Sequence, residues 1–498
     1  MCDQELLLTI MYEIGELSMY LYVGLLTFLS FYGLHRLIII YLYFRYKKNF
    51  EHPEYTFVDL PVVTIQLPFY NERYVAERAI DKAAAIEYPM DRLEIQVLDD
   101  STDDTARIAA ARVDYYRGKG LDIHYIHRED RAGFKAGALE NGMKKAKGEF
   151  FAIFDADFVP DRDFLNNSIH YFTNPRIGMV QLRWGHINRD YSFLTALEAI
   201  FLDGHFMIEH TARNRSGRFF NFNGTAGIWR RQAILESGGW QHDTLTEDLD
   251  LSYRAQLKGW KFVFVPEHEV PAELPVDMLA FKTQQHRWTK GSIQTCKKLL
   301  TTILRSDYPF RVKSEAFFHL AANFNYLLMI PLSVMIFPIA LVRKSMGYEN
   351  LLILDIFYFI MIIFSISAFF MVSQKEISKN WLGKIRYIPG LMALGIGLSV
   401  TNSLAVLEAI FNHKSSFIRT PKIGTGGKGE KHTRIGYRTK YITAVPIIEF
   451  LFGLYFSFAV IVAATEELWF SIPFLMLFQF GYMITAIMSF HTMSAQRR

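Results

Sequence analysis

Residues 93–103 read Leu-Glu-Ile-Gln-Val-Leu-Asp-Asp-Ser-Thr-Asp. A short apolar run, 93–98, ends in acidic and hydroxyl residues and is followed at 105–117 by a helical pattern, which is the signature of one strand-and-helix unit. The same order recurs around it. Strand patterns at 62–67, 122–126 and 150–154 alternate with helical patterns at 75–85 and 135–146. This alternation predicts a doubly wound α/β sheet whose ligand lies at the carboxyl ends of the strands.

Outward from this domain the composition changes. The chain has 498 residues, 51% of them hydrophobic, with 43 Phe and 26 Tyr, which is richer in apolar residues than an ordinary globular protein. The excess lies in runs of bilayer-spanning length. The first, 17–44, precedes Arg45, Lys47 and Lys48, so the domain at 45–315 is expected to face the cytosol. It is too long for a signal peptide and reads as a retained span. Further runs fall at about 317–342, 351–372, 388–411, 445–464 and 468–490. If all five cross, the Lys- and Arg-rich segment 412–441 ends outside; if 388–411 is interfacial or re-entrant, that segment becomes cytosolic. We expect the second arrangement, although it places Arg343 and Lys344 outside. The expected organisation is an N-terminal span at 1–44, an aqueous domain at 45–315 and a membrane region at 316–498.

A net charge of +4 without a basic stripe gives no reason to expect nucleic acid as a partner. Cys2 and Cys296, the two cysteines, form neither a disulfide framework nor a zinc motif.

Four motifs carry chemistry. Asp99 and Asp100 end a strand, where a carboxylate can accept hydrogen bonds from a ribose or base, although Ser101 or Asp103 could simply cap the next helix. Asp155 and Asp157 stand two apart. In an extended segment they would share a face and offer a hard oxygen site for Mg²⁺ or Mn²⁺ beside a diphosphate. Thr246-Glu247-Asp248 opens a helical pattern, either as a cap with acidic first-turn residues or as a general base for a hydroxyl. Gln284, Gln285, His286, Arg287 and Trp288, just before the membrane region, combine many donors, a fixed charge and a flat apolar face. Such a set suits a ligand rich in hydroxyls or phosphates. Residues 223–227, Asn-Gly-Thr-Ala-Gly, would allow close approach to the backbone. His205, Glu209 and His210 lack the spacing of a helical zinc site and read as ordinary polar positions.

In this order, Asp99-Asp100, Asp155-Ala-Asp157, Thr246-Glu-Asp248 and Gln284 to Trp288 resemble the D, DxD, TED and QxxRW set of processive family-2 glycosyltransferases. Residues 97–103, Gln181-Leu-Arg-Trp184, Phe222-Asn-Gly-Thr-Ala-Gly227 and Gln284-Gln-His-Arg-Trp288 are similar to the plant cellulose-synthase-like branch that makes mannan and glucan backbones, and to its bacterial relatives. The resemblance implies a GT-A-type domain that moves a hexose, with inversion, from UDP-glucose or GDP-mannose to a β-linked polysaccharide passing through the membrane helices.

It further implies that Pro68, Tyr70, Asn71, Glu72, Asp99, Asp100, Lys135 and Asp155 hold the nucleotide, and that Asp155 and Asp157 hold Mg²⁺ or Mn²⁺. Asp248 would be the base, with Glu247 beside it. Trp184, Gly224, Thr225, Gln284, Arg287 and Trp288 would contact the acceptor. Phe417-Ile-Arg419-Thr420-Pro-Lys422 resembles the FxVTxK gating loop of bacterial cellulose synthase. The membrane would be a Golgi membrane in a eukaryote or the plasma membrane in a bacterium, and an accessory export subunit is a further partner the resemblance allows. Two alternatives remain at this level: transfer of a single sugar to a lipid, and a non-catalytic channel that senses nucleotide.

Overall fold

The structure, a computed structural model, describes residues 2–413, 422, 424 and 444–497. One sheet organises the aqueous domain. Its strands are β1 (Val63–Phe69), β2 (Leu93–Asp99), β3 (Ile123–His127), β4 (Phe150–Ile153), β5 (Ile177–His186), β6 (Gly227–Arg230) and β7 (Lys261–Ala272), in the spatial order β3-β2-β1-β4-β6-β5-β7. The first four are parallel and alternate with helices Ala76–Ala84, Thr105–Gly118 and Phe134–Lys145, close to where the pattern predicts them.

The second half of the same sheet is mixed in strand direction. β6 runs antiparallel to both β4 and β5, and β5 is parallel to β7. The register pairs Ile153 with Gly227, so β6 begins where β4 ends. That reversal delivers the turn at 224–226 to the carboxyl end of β4, beside Asp155.

Polar residues in the central strands are satisfied across the ladder. Thr64 donates to Glu94 at 2.6 Å and Gln66 to Gln96 at 3.1 Å, each pair being register neighbours. The opposite face of β1 places Val63, Ile65 and Leu67 in an apolar layer with Ala79 and Ile80. A second layer holds Leu98, Leu139, Phe151 and Trp229.

Among the described residues, five helices are long and apolar enough to cross a membrane: Glu13–Tyr46, Phe324–Ser345, Leu352–Ile377, Ala444–Thr465 and Ile472–Ala495. Their outer surfaces expose large apolar side chains such as Leu17, Phe357 and Ile461, whereas Ser365, Glu449 and Thr485 are buried between helices. This inside-out pattern suits a lipid surround. The apolar run expected at 317–342 is divided between the helix Phe310–Ala321 and the span that starts at Phe324. The run at 388–411 belongs to a pair of helices, Leu382–Gly397 and Ser399–Ile410, bent by 42°. Arg343 pairs with Asp355 at 2.7 Å and Lys344 with Glu466 at 2.9 Å, so neither of these cations lacks a counter-charge at that end of the bundle.

Candidate active site

The loops at the carboxyl ends of the parallel strands are stitched together. Asn71, at φ 55°, donates its N–H to Ser101 Oγ at 2.7 Å and accepts from the Thr102 N–H at 2.9 Å. Thus Ser101 holds the loop after β1. Asp103 accepts from the Thr105 N–H at 2.9 Å, supporting the start of the next helix. Asp99 is fully buried and accepts from Tyr125 at 2.7 Å and from the Ser101 N–H at 3.1 Å. Asp100 takes both arms of Arg128, at 2.8 and 2.5 Å.

Beyond these loops lies a cavity of about 180 Å³. Pro68, Tyr70, Glu72, Asp100, Lys135, Asp155, Asp157, Trp184, Gly224, Glu247, Asp248, Gln284, Arg287, Trp288 and Lys422 all border it. Of the other residues proposed from sequence, Asn71, Asp99 and Thr225 stand behind its wall. Thr225 Oγ1 accepts the Asp155 N–H at 3.0 Å. Phe417, Arg419 and Thr420 lie outside the described residues.

Asp155 and Asp157 share the cavity for a reason other than strand alternation. β4 has already ended, and a turn closed by the Phe158 N–H on the Asp155 carbonyl at 3.0 Å brings them there. Each carboxylate is held by an ammonium group: Asp155 by Lys135, and Asp157 by Lys422 at 2.7 Å. Lys135 also donates to the Gly224 carbonyl at 2.8 Å. Burial works against the Lys135 charge, but Asp155, Glu247 and Asp248 more than offset it and hold its pKa above the ordinary lysine value. Two hard oxygen donors that attract two ammonium groups fit a divalent cation of the Mg²⁺ or Mn²⁺ type, with the remaining ligands to come from substrate and water. Among the described residues no set of three or more metal-type side chains converges.

Glu247 and Asp248 occupy the first turn of the helix Glu247–Leu257. Thr246 precedes it but makes no side-chain cap, and its hydroxyl instead lies 3.3 Å from that of Thr295. A capping role therefore does not explain the motif. Burial, followed by the neighbouring Glu247, raises the Asp248 pKa to about 7, and burial also raises that of Glu247. Gly224, at φ 81°, lies so close that a Cβ there would stand 3.0 Å from Asp248 Oδ2.

Gln284, Arg287 and Trp288 come from the helix Met278–Arg305, which reaches the motif through Gly291. A Cβ at Gly291 would stand 2.5 Å from the Thr246 side chain, and the Leu245 N–H donates to Gln294 at 2.9 Å. Burial lowers the Arg287 pKa, opposed by Glu247, Asp155 and Asp248. Trp288 and Trp184 pack, half-buried, against the same apolar cluster.

Sequence reasoning missed two residues here, Arg131 and Glu273. Arg131 lies over the Tyr70 ring at 3.3 Å; its place in the loop after β3 was the available signal. Glu273 follows β7 and accepts the Gly424 N–H at 3.1 Å, while its carbonyl accepts Lys422 at 2.9 Å. Asn223 borders the cavity beside Gly224.

A parallel sheet edge that presents a carboxylate pair, a half-buried acidic helix start and a tryptophan-bearing helix to one cavity defines a class. Residues 61–291 match the family described as "Glycosyltransferase like family 2", so most of the aqueous domain is similar to glycosyltransferases of that family. More particularly, the chain is 39% identical over 309 residues to glucomannan 4-beta-mannosyltransferase 2 of Arabidopsis thaliana, covering 59% of this chain and 58% of that protein. It is 40% identical over 302 residues to glucomannan 4-beta-mannosyltransferase 1 of Oryza sativa subsp. japonica, covering 57% and 58%. The chain thus spans a little over half the length of these curated relatives. In fold it resembles a mannosyltransferase from Pyrobaculum calidifontis solved in complex with GDP-Man and Mn2+, with a TM-score of 0.54, 19% identity, and coverage of 79% of this chain and all of that one.

Proposed function

We propose that this chain is a membrane-embedded hexosyltransferase that transfers mannose from GDP-mannose to a β-linked polysaccharide, with inversion, and guides the polymer into its membrane helices. The observation that carries the reading is the half-buried Asp248 carboxylate, with its raised pKa, in one cavity with Asp155, Asp157, Lys135 and Arg287. The relatives' mannosyltransferase names favour mannose over glucose.

The nucleotide enters between Tyr70, stacked on Arg131, and the loop carrying Asp100. Lys135 and Arg287 face the diphosphate and stabilise its charge as it leaves. A Mg²⁺ or Mn²⁺ ion held by Asp155 and Asp157 would supply Lewis-acid stabilisation of that same group. Asp248 takes the proton from the acceptor hydroxyl, whose oxygen bonds to the sugar carbon as the bond from that carbon to phosphate breaks. Nucleoside diphosphate is released. Trp288 offers a stacking face for the terminal acceptor sugar, and the spans beyond it provide the path outward. The aqueous domain faces the cytosol, where nucleotide sugars are available.

The test is a donor screen on the full chain in nanodiscs. With Mg²⁺ or Mn²⁺, GDP-mannose should release GDP and yield β-linked polymer by linkage analysis, and EDTA should reduce turnover to background. Release from no nucleotide sugar, or turnover indifferent to EDTA, would defeat the reading. A single mannose on lipid would defeat the polymer part alone.

A further inference from the structure

Behind the cavity wall the helix beginning at Phe193 widens into a π-helical turn, Gly204–His210. Such turns are uncommon and are found frequently at functional sites. In an α-helix, residues five apart diverge around the axis; the wider turn returns them to one side. Here it brings the His205 and His210 rings to 4.3 Å between centroids.

Both rings face the side chain of Asn223. His205 Nδ1 lies 3.0 Å from Glu209 Oε2, so that nitrogen carries the proton and Nε2 is left to accept. Asn223 Nδ2 donates to it at 3.1 Å. On the other side His210 Nε2 donates to Asn223 Oδ1 at 2.6 Å, while its Nδ1 is buried and meets no hydrogen-bond partner among the described residues, which suits a lone pair there rather than a proton. Turning the amide over would set carbonyl against lone pair and N–H against N–H. Its orientation is therefore imposed. The arrangement is itself braced: Glu209 accepts from Arg213 at 3.1 Å, Arg213 donates to Glu315 at 2.9 Å, and Glu315 meets His35 of the first membrane helix at 3.0 Å. The Asn223 N–H of the main chain is fixed as well, on Gln181 at 3.0 Å.

An asparagine side chain has two N–H donors and two acceptor lone pairs. The histidines use one of each. No described residue takes the others, and Asn223 borders the cavity next to Gly224, which abuts Asp248. One remaining donor and one remaining acceptor match a hydroxyl, which can give and take one hydrogen bond. The nucleotide end of the cavity, at Tyr70 and Arg131, is elsewhere on its lining.

We propose that Asn223 binds a hydroxyl of the acceptor sugar beside Asp248, and that His205 and His210 are positioning residues that lock its amide for that contact. This rests on the glycosyltransferase reading above. Binding of β-1,4-mannohexaose and of GDP to the full chain in nanodiscs tests it, with transfer from GDP-mannose and UDP-glucose measured in parallel. Asn223→Ala and Asn223→Asp should weaken hexaose binding by about tenfold or more, the weight of one or two lost hydrogen bonds, with GDP binding unchanged in the folded protein. His210→Phe should do the same, and His210→Gln, which keeps an N–H at that point, should restore most of the affinity. Wild-type affinity in Asn223→Ala, equal loss of GDP and hexaose, or no hexaose binding by an active wild-type protein would overturn the inference alone. Failure of the wild-type protein to transfer any sugar would overturn the underlying reading with it.

Discussion

Two lysines, one half-buried in the cavity and one fully buried against the membrane helices, do opposite things with the same charge. Lys135 stands in the cavity, paired with Asp155 and influenced by Glu247 and Asp248. Lys282 lies at the base of the helix that carries Trp288, fully buried, paired with Glu449 of one span and donating to Ser489 of the next at 2.9 Å. It joins the aqueous domain to the bundle. An excess of carboxylate around one cation leaves negative charge that can attract a further cation, whereas one-to-one pairing leaves none.

The sharpest way to break this comparison is to remove charge from each side in turn. Asp248→Asn should lower transfer by about 10³-fold or more, the scale of a lost general base, without lowering the melting temperature, since that carboxylate is ionised in the fold only at a cost. Unaltered transfer would remove Asp248 from the chemistry. On the other side, Lys282→Ala should leave Glu449 buried and unpaired and cost about 3–5 kcal/mol of stability, while GDP binding persists in the protein that remains folded. The double variant Lys282→Met, Glu449→Leu should recover most of the melting temperature. If the single variant melts like wild type, the pair does not join the two halves.

A pH series separates the two further. With its pKa raised to about 7, Asp248 keeps a proton in the folded protein over a range where an unfolded aspartate is ionised. Its contribution to stability is greatest on the acid side and falls as pH rises toward about 7, and transfer should rise over the same interval. Rates and melting temperatures from about pH 5 to pH 8 should therefore move in opposite directions; parallel changes would contradict the assignment. The smallest expected effect is that of Trp288→Ala: a loss of roughly three- to tenfold in acceptor binding or polymer length, with GDP affinity kept. Equal loss of both would mean that the indole supports the fold rather than the sugar.

How far each part was legible follows from whether its cause is local. The strand ending at Asp99 and the helices after the first three parallel strands depend on neighbouring residues, so periodicity and turn chemistry located them. The mixed half of the sheet was not legible, because β5 interleaves Gln181, Arg183 and His186 with apolar residues and β6 has only four. The carboxylate pair was found by its spacing, but a turn rather than a pleat makes it converge. Whether Thr246 caps its helix could not be decided from a sequence that permits both; its contact with Thr295, 49 residues away, decided it.

By itself, then, the sequence determined the alternation of strands and helices, the apolar runs and the acidic and aromatic motifs, because hydrophobic periodicity and residue chemistry act over a few positions. Only the tertiary structure decided that β6 returns antiparallel to carry Gly224 to Asp248, that Lys422 reaches Asp157, and that histidines from a π-helical turn hold Asn223. Those contacts join residues far apart in the chain, and their energy comes from burial and pairing that no short stretch contains.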